Sequence, residues 1–207
     1  MNLKILGVLS VLVLFLTLII QLPDFPEAGY KKIRELKSVH PNFVTTIYLK
    51  NRFYDTIFEV MVFSLAILGI GLHSPSLMPP ATRGVIRDIS TRLFTRYISF
   101  FVFLGSAYLA LWGHESPGGG FSAGVAGGTG LLLLGMTEEF DVFEEKLERF
   151  KVHMMERIFL FFIVLSFIVT SLRRVDLIVL TNFMIYLKVS FGTWLLIYSL
   201  IKHRGIF

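Results

Sequence analysis

Six mostly apolar stretches, at 4–22, 53–73, 94–113, 121–137, 154–172 and 176–201, alternate with polar segments along a chain of 207 residues. A helix that crosses the hydrocarbon core of a bilayer needs about 20 mostly apolar residues. In lipid each backbone polar group must be satisfied internally, so such stretches fold as helices unless they alternate like barrel strands, and none does. The expectation is an all-α, polytopic membrane protein with about six transmembrane helices. A proline-containing break, "HSPSLMPPATRG", parts two helices from four. It predicts a two-helix module over 1–80 and a four-helix module over 81–207. Composition agrees: 54% of residues are hydrophobic, above the 45–50% of soluble domains.

The first stretch follows Lys4 as a signal peptide would. However, it outruns a typical signal core and lacks a small-x-small cleavage site before "PDFPEAGY", which predicts a retained first span. With no cysteine, the chain cannot build a disulfide, a zinc–thiolate site or an iron–sulfur cluster. The formal net charge of +5 comes from basic residues clustered in loops, a topology signal rather than a nucleic-acid footprint. The Lys and Arg flanks place both termini on the cytoplasmic side and "GHESPGGGF" on the outer face, although the basic loop at 23–52 argues the other way. The segment "EEFDVFEEKLERFKVH" is too polar to span. Its Phe140, Phe143, Leu147 and Phe150 recur at helical spacing, and Glu145 and Arg149 stand i,i+4. Such a helix lies on the inner membrane surface or against a partner subunit, or else is a solvated connector.

Ionisable side chains inside spans cost several kcal/mol unless paired or hydrated, which makes them functional candidates. Asp55 and Glu59 lie one turn apart on one helix face, Glu59 the deeper; Glu156 stands near the start of the fifth span and Lys188 in the middle of the sixth. A buried lysine either loses its proton or pairs with a carboxylate. Both states suit a proton or cation relay, and a fixed Lys–Glu pair that only pins two helices fits as well. Glu156 is near enough to the membrane surface to be hydrated.

Between the third and fourth spans runs "WGHESPGGGFSAG". A phosphate-binding loop needs a Lys and a Ser or Thr after its glycines, and here Phe121 and Ser122 follow. His114 and Glu115 are too few for a zinc site, and no HExxH is present. The segment instead supplies geometry. Pro117 and Gly118 make a tight turn, and Gly120, Gly124 and Gly128 form an i,i+4 ladder that lets helices approach closely. His114 sits at the rim, able to handle protons near neutral pH.

This "GHESPGGGFSAG" resembles the GHxxPGGGF signature of the MnhB/MrpB subunit family of multisubunit Na⁺/H⁺ antiporters, through His114, Pro117, Gly118, Gly119, Gly120, Phe121 and Gly124. An arginine-rich entry to the third span and a late helix with a lysine, "YLKVS", are similar too, so the resemblance covers about residues 84–203. The preceding "NFVTTIYLKNRFYDTIFEVMVF" resembles a segment near the C-terminus of the large MrpA subunit, a segment that related archaeal membrane-bound hydrogenases carry as a separate small subunit. Asn42, Val44, Thr45, Arg52, Asp55, Thr56 and Glu59 match, while Phe58 replaces the usual glycine.

The resemblance implies a noncatalytic integral membrane subunit of a cation/proton translocation module. That module is either a stand-alone antiporter or the membrane arm of an energy-converting hydrogenase or sulfur reductase. Implied partners are the other antiporter subunits (A/D-like, C-like and E/F/G-like), a hydrogenase-like or sulfur-reductase peripheral module, membrane lipid, Na⁺ and H⁺, with no nucleic acid. Asp55, Glu59, Glu156, Lys188 and His114 are the ion-translocation candidates; Pro117, Gly118, Gly119, Gly120, Phe121, Gly124 and Gly128 shape the loop and the helix packing. No cofactor or metal is expected, and no nucleophile–base pair supports an enzyme. The rival reading is a scaffold subunit that seals helix interfaces and takes no part in the ion path.

Overall fold

The computed structural model describes residues 3–21, 52–73, 86–112, 119–138, 140–173 and 177–204. They form seven helices, without a strand among the described residues: α1 Leu3–Gln21, α2 Arg52–His73, α3 Ile89–Trp112, α4 Gly120–Thr137, α5 Phe140–Arg149, α6 Val152–Arg173 and α7 Ile178–Arg204. The long helices fall on the six apolar stretches. Over the described residues, α3, α4, α6 and α7 are long and apolar enough to cross a membrane, and α1 carries a shorter apolar run, Gly7–Thr17. The fold is that of an all-α polytopic membrane protein.

α3 begins five residues before the expected boundary, because its polar first turn is capped. One carboxylate oxygen of Asp88 accepts from the Thr91 amide at 2.7 Å and from the Thr91 hydroxyl at 2.6 Å, satisfying donors that a helix start leaves open. Arg92 and Arg96 extend this turn and stay exposed.

α4 and α7 run parallel and pack closest. A Cβ added to Gly120, Gly124, Gly127 or Gly128 would lie under 3.0 Å from Asn182, Val189, Ser190 or Thr193 respectively. The bare backbone of α4 thus substitutes for the side-chain layer that normally separates two helices. On the other side of α4, the Ser99 hydroxyl of α3 donates to the Gly130 carbonyl at 2.8 Å. Most of the remaining α3 surface is exposed and apolar, with Phe94 at 66% and Phe101 at 68%, as suits a face for lipid or a partner subunit.

The main core joins four helices: Val11 and Leu14 of α1, Ile57 and Val60 of α2, Leu160, Ile163 and Phe167 of α6, and Ile185 and Val189 of α7. A second cluster joins Phe143 of α5 and Val152 of α6 to Trp194, Tyr198 and Ile201 of α7. The amphipathic segment is thereby placed. α5 is helical, and its apolar stripe packs on this chain's own α7, with the Phe143 ring edge-on to Trp194 at 5.0 Å. Phe143 and Leu147 of the expected stripe make this intramolecular contact. Phe150, by contrast, stays 75% exposed.

Candidate functional site

α7 presents Ile185, Lys188, Val189 and Gly192 toward the core shared with α2 and α6. Gly192 fits there because a Cβ would stand 2.5 Å from Ile67 and 2.6 Å from Phe63. Four residues earlier, Lys188 is fully buried, and its Nζ lies 3.2 Å from Glu156 Oε1, whose side chain is 6% exposed. The ammonium also stands 4.8 Å from the centroid of the Phe63 ring. A ring face attracts a cation electrostatically, by up to about 2 kcal/mol when the site is dry.

The Lys188–Glu156 approach is an ion pair by distance, and Nζ has no well-aligned hydrogen-bond acceptor among the described residues. Taking an ion from water into a protein interior costs several kcal/mol even after relaxation, and Coulomb attraction repays it only with good geometry and further hydrogen bonds. This pair has the charge balance without the full set of bonds. Three hydroxyls on the same helix, of Thr181, Ser190 and Thr193, are likewise buried without a partner among the described residues.

Glu156 is not the hydrated surface residue that its place near the start of a span suggested; it is 5% exposed. The chain turns back at Lys151, whose φ of 51° is left-handed, and lays α5 beside the N-terminal end of α6 and the C-terminal end of α7. Val152, in the first turn of α6, is only 3% exposed as a result. One turn before Glu156, His153 remains exposed and lines a cleft of about 390 Å³ with Glu144, Glu148, Lys151 and Tyr198. The Tyr198 hydroxyl donates to the Glu144 carboxylate.

Of the sequence candidates, the structure brings together Lys188 and Glu156. Asp55 is half-buried and Glu59 exposed, although Ile57 and Val60 between and beside them are fully buried. These carboxylates lie at the edge of α2, not in the core with the ion pair. His114, Pro117 and Gly118 lie outside the described residues. The rest of the loop motif supports the site. Gly119, with φ 149°, holds the N-cap of α4 in a conformation that L side chains rarely adopt. Gly120 and Gly124 let α4 reach α7. Phe121 then meets Phe63 edge-to-face at 5.7 Å, bracing the ring beside Lys188.

Several residues of this arrangement escaped sequence reasoning. Gly127, Gly135 and Gly192 make close helix contacts of the same kind as the recognised ladder, and their signal was glycine in an apolar helix. Phe63 carried no signal among 21 phenylalanines. Among the described residues, no three His, Asp or Glu side chains converge as ligands for a metal ion.

Searches of curated proteins and of solved structures each returned no match. A family profile, described as a domain related to the MnhB subunit of Na⁺/H⁺ antiporter, matches residues 90–206, more than half of the chain and including α3 to α7. Together with the multi-pass helical fold, this match places the chain in the MnhB-related family, as a membrane subunit of a Na⁺/H⁺ antiporter-type complex.

Proposed function

We propose that this subunit takes part in cation/proton translocation through the Lys188–Glu156 pair, and that Asp55 and Glu59 line a path completed by a partner subunit. The observation that supports this is the pair itself: two opposite charges 3.2 Å apart in a four-helix apolar core, the ammonium without a well-aligned acceptor among the described residues. Protonating Glu156, or taking a proton from Lys188, leaves a single uncompensated charge. The pair thus converts a proton or cation arriving nearby into a change of local field. Coulomb attraction at this distance is weakened little by salt or water.

The surrounding module is a multisubunit antiporter or the membrane arm of an energy-converting hydrogenase or sulfur reductase, with both termini of this chain cytoplasmic. A- or D-like, C-like and E/F/G-like subunits supply the remainder of the path, and His114 shapes the outer entrance. The close α4–α7 contact favours a second reading, a scaffold whose charges only pin helices. Sodium-dependent proton exchange in vesicles carrying the whole complex separates the two. The double variant Lys188→Met/Glu156→Gln, which removes both charges, keeps the complex intact on a native gel but loses exchange if the pair acts in translocation. Wild-type exchange in that variant would establish the scaffold reading. Glu59→Gln, measured alongside, is expected to lower exchange without disassembly.

A further inference from the structure

We infer that the cleft between α5, α6 and α7 is a proton vestibule that feeds the buried ion pair from one side, with His153 as the relay between them. The inference rests on the proposed role of the Lys188–Glu156 pair and adds the direction from which protons reach it.

Four features of the molecule carry it. First, titratable groups form a series of increasing burial. His153 is exposed in the cleft, Glu156 is one helical turn deeper at 5% exposure, and Lys188 is fully buried beyond it. Residues three apart on a helix are neighbours, with Cβ atoms about 5–6 Å apart, so the imidazole and the carboxylate occupy adjoining positions on α6. Second, the cleft is polar where it needs to be. Charges of both signs stand around His153, Arg157 on α6 and Lys151 in the turn on one side of the balance and Glu144 and Glu148 of α5 on the other. Carboxylates at a mouth raise the local concentration of protons and other cations.

Third, the cleft wall is held in place. Tyr198 of α7 donates to Glu144, its ring stacks on Trp194 at 5.2 Å, and Phe143 anchors α5 to the same indole. Fourth, the opposite approach to Lys188 is apolar. Ile185 and Val189 on its own helix, with Phe63 and Phe121 packed against them, surround it in the main core. Toward α5 the pair thus meets the charged cleft, while the described side chains of α2 and α4 packed beside Lys188 are apolar.

The transfer balances simply. An imidazole protonated from the cleft passes its proton to a Glu156 oxygen and returns to neutral. The carboxylate becomes neutral in turn, and Lys188 is left as the single charge. The charged and titratable groups facing His153 among the described residues are Glu144, Glu148, Lys151, Glu156, Arg157 and Tyr198.

The test is sodium-driven proton exchange by the whole complex in vesicles from pH 5.5 to 8.5, a window chosen to bracket the ordinary imidazole value of about 6.5, with assembly checked by native gel. His153→Gln is expected to assemble, to lose most of the exchange, and to lose the titration step in the imidazole range. Glu156→Gln is expected to lose exchange at every pH. A wild-type rate and profile in His153→Gln beside a silent Glu156→Gln overturns the vestibule and leaves the ion-pair reading standing. Wild-type exchange in Glu156→Gln overturns both. A second measurement does not depend on replacing the histidine. This chain has no cysteine, so Glu148→Cys offers one thiol in the cleft wall to a bulky, water-soluble thiol reagent, with the complex carrying the unaltered chain as control. Complete labelling that blocks exchange supports the vestibule; complete labelling with exchange unchanged overturns it.

Discussion

Along one side of α7, Asn182, Val189 and Thr193 lie against the glycines of α4; along another, Lys188 lies against Phe63 of α2 and Glu156 of α6. The first contact depends on missing atoms. Shape alone holds it, and it has one arrangement, because packed interiors tolerate little change in volume. The second depends on charge. It has at least two electrostatic states, and its stability differs between them. In the role proposed for the pair, a helix fixed by shape on one side and poised by charge on the other would report a protonation event without losing its place in the bundle. The rigid seam is what allows the ionic one to be delicate.

Breaking the charged side has the largest expected effect. Glu156→Gln leaves the Lys188 ammonium buried and unpaired, and removing one partner of a buried pair costs about 3–5 kcal/mol. Lys188→Met/Glu156→Gln removes both charges and is expected to recover most of that loss, since apolar replacements of whole buried pairs are often neutral. Thermal denaturation of the purified complex, followed by size-exclusion chromatography, checks this. A double variant whose loss equals the sum of the two single losses would show that the two residues are not energetically coupled.

Breaking the shape-held side should cost somewhat less. A Cβ on Gly124 would stand 2.5 Å from Val189 Cβ and 3.0 Å from the Tyr186 carbonyl, whereas one on Gly105 meets nothing within 4 Å. Overpacking costs about 1–3 kcal/mol, and more where backbone must shift. Gly124→Ala is therefore expected to lower the thermal midpoint clearly while Gly105→Ala leaves it unchanged or slightly raised, alanine being the better helix former by up to about 1 kcal/mol. Equal midpoints for the two variants would remove the distinction between a seam and an open helix face.

Much of this comparison was legible in the sequence, and the rest was hidden for identifiable reasons. Bilayer thickness makes span length nearly independent of tertiary context, so the six long helices followed from hydropathy. The Gly120–Gly124–Gly128 ladder was legible because its spacing repeats; Gly192 was not, because a solitary glycine has no period. Lys188 stood out as a charge in an apolar run. Glu156 was expected near water; its carboxylate instead lies against Lys188 of α7, and no local pattern encodes that pairing. Asp55 and Glu59 share a face as their spacing required, but spacing cannot say whether that face points into the chain or out of it. The α5 stripe shows the same ambiguity: Phe143 and Leu147 announce a buried face, and only the fold identifies α7 as its cover.

The smallest expected effect lies outside both contacts and tests whether the polar entry of α3 stands apart from them. The Thr91 hydroxyl and then the Thr91 amide, both donating to Asp88, hold its carboxyl below the ordinary carboxylate value; a small loss of hydration opposes them and the Ser90 amide assists. A group with a depressed folded-state pKa contributes stability above its unfolded value, about 3.9 for Asp, and that contribution disappears as pH falls through the folded value. Protection of the Thr91 and Arg92 amides, their exchange rate set against the intrinsic rate at each pH, should thus be high at pH 6 and fall below about pH 4, while Asp88→Ala should show low protection at both, as expected for a lost N-cap. Because Asp88 is fully exposed, solvent screens the interaction and the effect stays within the first turn. Sodium-driven exchange and the thermal midpoint should not change. A fall in either would mean that the start of α3 is coupled to the α4–α7 seam, through the Ser99 bond to Gly130, and that the shape-held side of α7 extends one helix further than its glycines.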